Sequence, residues 1–296
     1  MTTAAPPAAN RPHPYAVLAL AVACVSVGSL LIRLAASPAL AVAFYRIALA
    51  AALVAPLGLP AARAAWRGLP TGRRRAVVAA GLALALHFAT WIASLSYTSV
   101  AASVLLVNTA PLFTIVFARV FLGERPTRLV LAAMAIALVG AFLIAAGDWT
   151  GGLGSLTGAA LAVAGAVTLS AYHVVGRGLR DALPLTTYVF VVWAVAAAAL
   201  GALAVALGVP LAGYTARTWA AFAGLAVIPT VLGHGLVNRS LRALSAPTVG
   251  LFLLGEPVLA SLLAWAFLDE APGAMTLAGG ALVLLALVLV VRGGAA

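Results

Sequence analysis

The chain has 296 residues, 65% of them hydrophobic and only 8% charged, with a mean hydropathy of +1.17. A soluble domain carries about 25% charged residues, so this chain cannot cover a water-facing surface and its solvent is lipid. The net charge of +11 invites a nucleic-acid reading, but all seventeen basic residues are arginines lying mostly between apolar runs, where membrane topology accounts for them; no nucleic-acid partner is expected.

In chain order, residues 1–13 (MTTAAPPAANRPH) form a Pro/Ala-rich polar tail. No A-x-A site follows it, so no cleavable signal peptide is expected. Apolar runs of about 20 residues, the length of a membrane crossing, then predict ten transmembrane helices. Their spans are 14–35, 38–58, 76–97, 100–122, 127–147, 155–177, 185–207, 217–239, 247–268 and 273–291. Turn residues mark most boundaries, as in GERP at 123–126 and DALP at 181–184. The longest predicted loop runs from Leu59 to Arg75 and carries five arginines. Cys24 is the lone cysteine, so no disulfide framework exists.

The arginines predict orientation. With the N-terminus in the cytoplasm, fourteen of the seventeen lie on the cytoplasmic side; Arg33 and Arg217 lie outside, and Arg46 lies within a span. The positive-inside rule therefore favours cytoplasmic N- and C-termini.

The stretch PLFTIVFARVFLGERP at 111–126 returns as PVLASLLAWAFLDEAP at 257–272. The matches include Pro111/Pro257, Phe121/Phe267, Glu124/Glu270 and Pro126/Pro272; the same offset of 146 pairs Pro38 with Pro184. A constant offset marks an internal duplication. The division expected is a cytoplasmic tail at 1–13, a five-helix repeat at 14–147, an external linker at 148–154, and a second repeat at 155–292. Five is odd, so the second copy enters the bilayer inverted. Inverted repeats are common in secondary transporters, with the substrate site between the halves at mid-membrane. The fold class expected is all-α and integral to the membrane.

Polar groups within spans are costly and need a reason. Thr230, His234 and Asn238 stand at i, i+4 and i+8 in the eighth span, one predicted stripe. His87 and Trp91 share a face of the third span, Asn108 precedes Pro111 in the fourth, and His173 lies in the sixth. His87, Trp91, Asn108, His173, His234 and Asn238 are the expected substrate-binding residues, facing a common aqueous cavity. Trp91 would offer a flat apolar face; the two asparagines would bond a polar end. The competing structural reading is that such groups bond helices together. The three histidines come from separate helices without short ligand spacing, so no metal is expected. No catalytic, nucleotide or dinucleotide motif is present, and no cofactor is expected.

Glu256 and Arg46 are the charged residues deepest in the spans. An ionised carboxylate at mid-bilayer costs about 3 kcal/mol. Protonation, exposure to water, or pairing with Arg46 would lower that cost. Two expectations follow: a coupling group that exchanges a proton as substrate moves, or a fixed buried ion pair.

Ten helices in two repeats, each with P-x12-E-x-P, resemble the EamA-type permeases of the drug/metabolite transporter superfamily. Phe44-Tyr45-Arg46 is similar to the family's aromatic–Arg pattern in the second helix, and Leu254-Gly255-Glu256-Pro257 to its LEP pattern in the ninth, with a glycine inserted. The resemblance implies a secondary carrier of the bacterial inner membrane that exports small metabolites, most readily amino acids, including the aromatic and hydrophobic ones carried by the YddG-like branch. It implies alternating access, a monomer or weak homodimer, and no enzymatic activity. A membrane-embedded enzyme or a channel for a small hydrophobic metabolite is the alternative; a carrier moves label across an empty liposome chemically unchanged.

Overall fold

The computed structural model describes residues 13–98, 100–147, 156–179, 181–268 and 271–293. Arg11, Arg180, Glu270 and the 148–154 linker lie outside the described residues. Among the described residues every regular element is helical, and ten helices are long and apolar enough to cross a membrane. The chain is a multi-pass membrane protein.

The first three spans are α1 (Pro14–Ala35), α2 (Ala39–Gly68) and α3 (Thr71–Ser94). The fourth is broken into α4 (Val100–Val107) and α5 (Ala110–Phe117), and its end widens into a π-helical turn, Ala118–Leu122. The fifth, sixth and seventh are α6 (Arg128–Gly147), α7 (Leu156–Gly178) and α8 (Leu185–Ala206). The eighth joins α9 (Ala216–Leu225), a π-helical stretch at Ala226–His234, and α10 (Gly235–Ser240). The ninth is again broken, into α11 (Ala246–Leu253) and α12 (Glu256–Leu268), and α13 (Ala274–Arg292) is the tenth.

Two expectations are corrected here. The Leu59–Arg75 loop is mostly helix, because α2 runs through Pro56 and Pro60 to Gly68 and α3 begins at Thr71. The AARAAWR segment is rich in strong helix formers. Arg74 then closes the junction: its Nε donates to the Leu69 carbonyl at 2.7 Å and Nη2 to that of Arg67 at 3.0 Å, carbonyls near a helix C-terminus. Second, spans four and nine are each two half-helices.

Both breaks follow from proline. Pro111 and Pro257 have no N–H for the carbonyl four residues back, and their rings crowd it. The helices stop at those residues, Val107 and Leu253. With the offset of 146, α4 and α11 begin and end at matching positions, and so do the starts of α5 and α12. Serines tie both breaks. Ser170 Oγ donates to the Ala110 carbonyl at 2.6 Å, and Ser26 Oγ to the Glu256 carbonyl at 3.4 Å.

The packing is reciprocal between the halves. Span three packs on six, and eight on one; span four packs on six, and nine on one; two pairs with seven, and five with ten. Shifting every span by five exchanges these contacts among themselves. The five–ten seam brings backbones together: a Cβ added to Gly140 would fall 2.6 Å from the Gly279 carbonyl oxygen, and one on Gly279 would fall 2.4 Å from that of Gly140. Small residues allow this approach in membranes, where dispersion rather than the hydrophobic effect holds helices together. The paired Phe121 and Phe267 are 72% and 69% exposed. Their repetition in the sequence reflects a shared outer surface, not a shared core.

Candidate functional site

The two breaks meet at a cavity. Asn108, Ala110, Pro111 and Thr114 line it from span four; Gly250, Leu253, Leu254, Glu256 and Pro257 line it from span nine. A Cβ on Gly250 would contact Pro111 at 3.4 Å, so the broken spans cross there. The polar and aromatic part of the remaining wall includes Arg46, His87, Phe88, Trp91, His173 and His234, and span one adds Val25, Gly28 and Ser29. The space between these side chains, mouth and adjoining solvent included, is about 970 Å³.

Arg46, 2% exposed, is held rather than neutralised. Its Nε and Nη2 both donate to Thr230 Oγ1 at 3.3 Å, and its Cζ lies 4.1 Å above the Phe88 ring. A desolvated cation–π contact is worth about 2 kcal/mol. Thr230 Oγ donates in turn to the Leu225 carbonyl at 2.8 Å, five residues back, in the wide π-helical register of that segment.

The expected fixed ion pair does not form. Among the described residues no contact within 4.0 Å joins Arg46 to Glu256, although both line the cavity. The Glu256 carboxylate accepts no hydrogen bond from a described residue; only its backbone carbonyl does, from Ser26. The physical reason is placement: the guanidinium is drawn to Thr230 and Phe88, while Glu256 is the first residue of α12.

Five of the six expected binding residues line this one cavity: His87, Trp91, Asn108, His173 and His234. His87 Nδ1 lies 3.0 Å from the Gly165 carbonyl, and its ring stacks on Trp91 at 5.7 Å and 11°. Among the described residues, Trp91 Nε1, His173 Nε2 and His234 Nδ1 are buried without a hydrogen-bond partner. A buried polar atom in that state calls for water or a ligand. Among the described residues the histidines do not gather into a metal-binding set.

Asn238 is the exception. It is buried behind the wall, where Nδ2 donates to the Tyr172 hydroxyl and, at 2.7 Å, to the His234 carbonyl. The predicted stripe assumed a regular α-helix, but the helix is π-helical through His234, and the widened turn changes which positions share a face. Thr230 meets Arg46, His234 meets the cavity, and Asn238 meets span six. Sequence reasoning also missed Phe88. Its signal was the company it keeps, an aromatic next to His87 in a span, on a chain that must shelter a buried guanidinium.

A second carboxylate, Glu124, is fully engaged. Oε1 accepts from Arg177 Nε at 2.7 Å, and Oε2 accepts from the Ala246 backbone N–H at 3.1 Å. Arg177 Nη1 also donates to the Leu241 carbonyl at 2.8 Å. This network ties the ends of spans four, six and eight to the start of span nine.

Comparison with known proteins agrees with this architecture. A relative from Streptantibioticus cattleyicolor, named a probable terminal-alkyne amino-acid exporter, is 31% identical over 192 residues, spanning 64% of this chain and 63% of that protein. The chain thus matches less than two thirds of that relative's length. The pseudopaline exporter of Pseudomonas aeruginosa is 27% identical over 264 residues, covering 86% of this chain and 87% of its own. A solved crystal structure superposes with a TM-score of 0.81 at 21% identity, over 94% of this chain and 96% of the other, and shares the fold. The EamA-like transporter family matches twice, at residues 14–146 and 156–292. The chain therefore belongs to the EamA-like transporter family.

Proposed function

We propose that this protein is a secondary carrier that exports small metabolites, amino acids with aromatic or hydrophobic side chains foremost, across the bacterial inner membrane. The observation that carries the reading is the crossing of two proline-broken spans at one cavity lined from both halves of the chain. Broken helices at a repeat interface are a recurrent way of building transporter sites. The halves rock about the cavity, which opens to either side in turn. The names of both relatives support the export direction, and one supports an amino-acid substrate. Both termini lie in the cytoplasm, by the arginine distribution.

Export is coupled to proton entry at Glu256. Its carboxylate reaches the cavity without a hydrogen-bonding partner among the described residues, together with Arg46, His87, His173 and His234 as the other titratable or charged groups on the wall. Counterflow in sealed proteoliposomes, across a panel of amino acids, tests the reading. Saturable exchange of chemically unchanged label supports it. Flux without saturation or counterflow would indicate a channel, and a modified product an enzyme.

A further inference from the structure

Two opposite charges line the cavity and do not meet. Arg46 spends Nε and one Nη2 hydrogen on Thr230 and its face on Phe88; among the described residues nothing bonds Nη1. Among the described residues nothing donates a hydrogen bond to the Glu256 carboxylate. A pair evolved as structure would look like Glu124 and Arg177, in contact at 2.7 Å with their other groups bonded. Leaving a buried guanidinium apart from the carboxylate that shares its cavity is expensive, unless something that carries both complementary charges fills the gap.

We infer that Arg46 and Glu256 form a split receptor for a zwitterion, in which Arg46 receives the carboxylate of the substrate and Glu256 its ammonium group. This rests on the carrier reading and narrows it: a compound with only one of the two charges leaves the other receptor unanswered. The guanidinium offers a fork suited to carboxylate. Glu256 opens α12 and lines the cavity, where its carboxylate can accept hydrogen bonds from an ammonium group. His87 stacked on Trp91, with Phe88 beyond, leaves an aromatic wall for the rest of the molecule.

The test is calorimetric titration of the purified full chain with the proteinogenic amino acids. Each one that binds is followed by its carboxamide, which lacks the negative charge, and its deaminated acid, which lacks the positive one. Each single-charge analogue should bind about 10- to 100-fold more weakly than its parent, the loss expected for one charge-assisted hydrogen bond. Glu256→Gln should erase the penalty on the deaminated acid, and Arg46→Gln the penalty on the carboxamide. Should Arg46→Gln fail to fold, Arg46→Lys, which keeps the charge, should keep the preference for the carboxylate. The inference is overturned if no amino acid binds, if a single-charge analogue binds as tightly as its parent, or if the variants preserve the parent ranking. Proteoliposome counterflow separates the two claims. Charge-selective binding without counterflow sinks carriage alone; counterflow of a single-charge compound as fast as its parent sinks the split receptor alone.

Discussion

The breaks in spans four and nine are one backbone design with two sets of side chains. Each stops four residues before a proline, each restarts at a matching position, and each has its first carbonyl held by a serine. At the first restart stands Ala110, preceded by Asn108; at the second stands Glu256, preceded by Leu254. Duplication supplied the geometry twice, but only one copy carries a charge. The backbone equivalence belongs to the fold, and the chemical asymmetry belongs to the site. A duplicated molecule thus reveals its functional positions where its copies disagree.

The strongest way to sharpen this contrast is to neutralise the charged copy. Glu256→Gln should fold and bind substrate more weakly, yet lose the pH dependence of flux and with it accumulation against a gradient. An unchanged pH profile in proteoliposomes would remove Glu256 from coupling. The reverse experiment gives the neutral copy a charge. Ala110→Glu places a carboxylate on a residue only 6% exposed, at a mid-membrane cost of about 3 kcal/mol. Its melting temperature in detergent should fall steeply, and pairing it with Glu256→Ala should not restore transport, because the position of Arg46 is not duplicated.

Milder changes act on the shared backbone. Pro111→Ala and Pro257→Ala each restore a donor, letting the helix close and gain about 1 kcal/mol from the recovered bond. Both should keep or raise thermal stability while slowing counterflow by a similar factor. If only one slows it, the breaks are not equivalent. The smallest effect is expected from the serines. Ser170→Ala should cost about 1 kcal/mol and Ser26→Ala less, in the order of their 2.6 Å and 3.4 Å bonds. Thermal melting of the two variants side by side checks the ranking.

Much of this molecule was legible in its sequence. Ten apolar runs give ten spans whose ends fall within a few residues of those observed, except where α2 outruns its predicted end and α3 begins at Thr71, ahead of its expected start. Lipid enforces helices, and hydropathy reads them directly. The prolines at 111 and 257 announced the repeat but were not read as breaks, although an Asn three residues before one and a Gly two before the other were local hints. Long-range facts were out of reach. Nothing near Arg46 in the chain says that Thr230 and Phe88 will hold it. Helical spacing placed Asn238 wrongly because a π-helical stretch leaves no reliable mark in composition.

The seam between Gly140 and Gly279 has a mechanical meaning. Backbone approaches backbone there, with the Val283 and Ile144 side chains packed close against the glycines. Two rods in such contact can pivot about it but cannot shear past it without collision. Under the proposed rocking the seam serves as an axle, and the cavity sits on the lever arms it supports. Widening one mouth then narrows the other as a matter of leverage, without a messenger between the two ends. An axle also fixes tolerances: a methyl group added at Gly140 or Gly279 jams the bearing, whereas changes of similar size on the lipid-facing surface leave the stroke untouched.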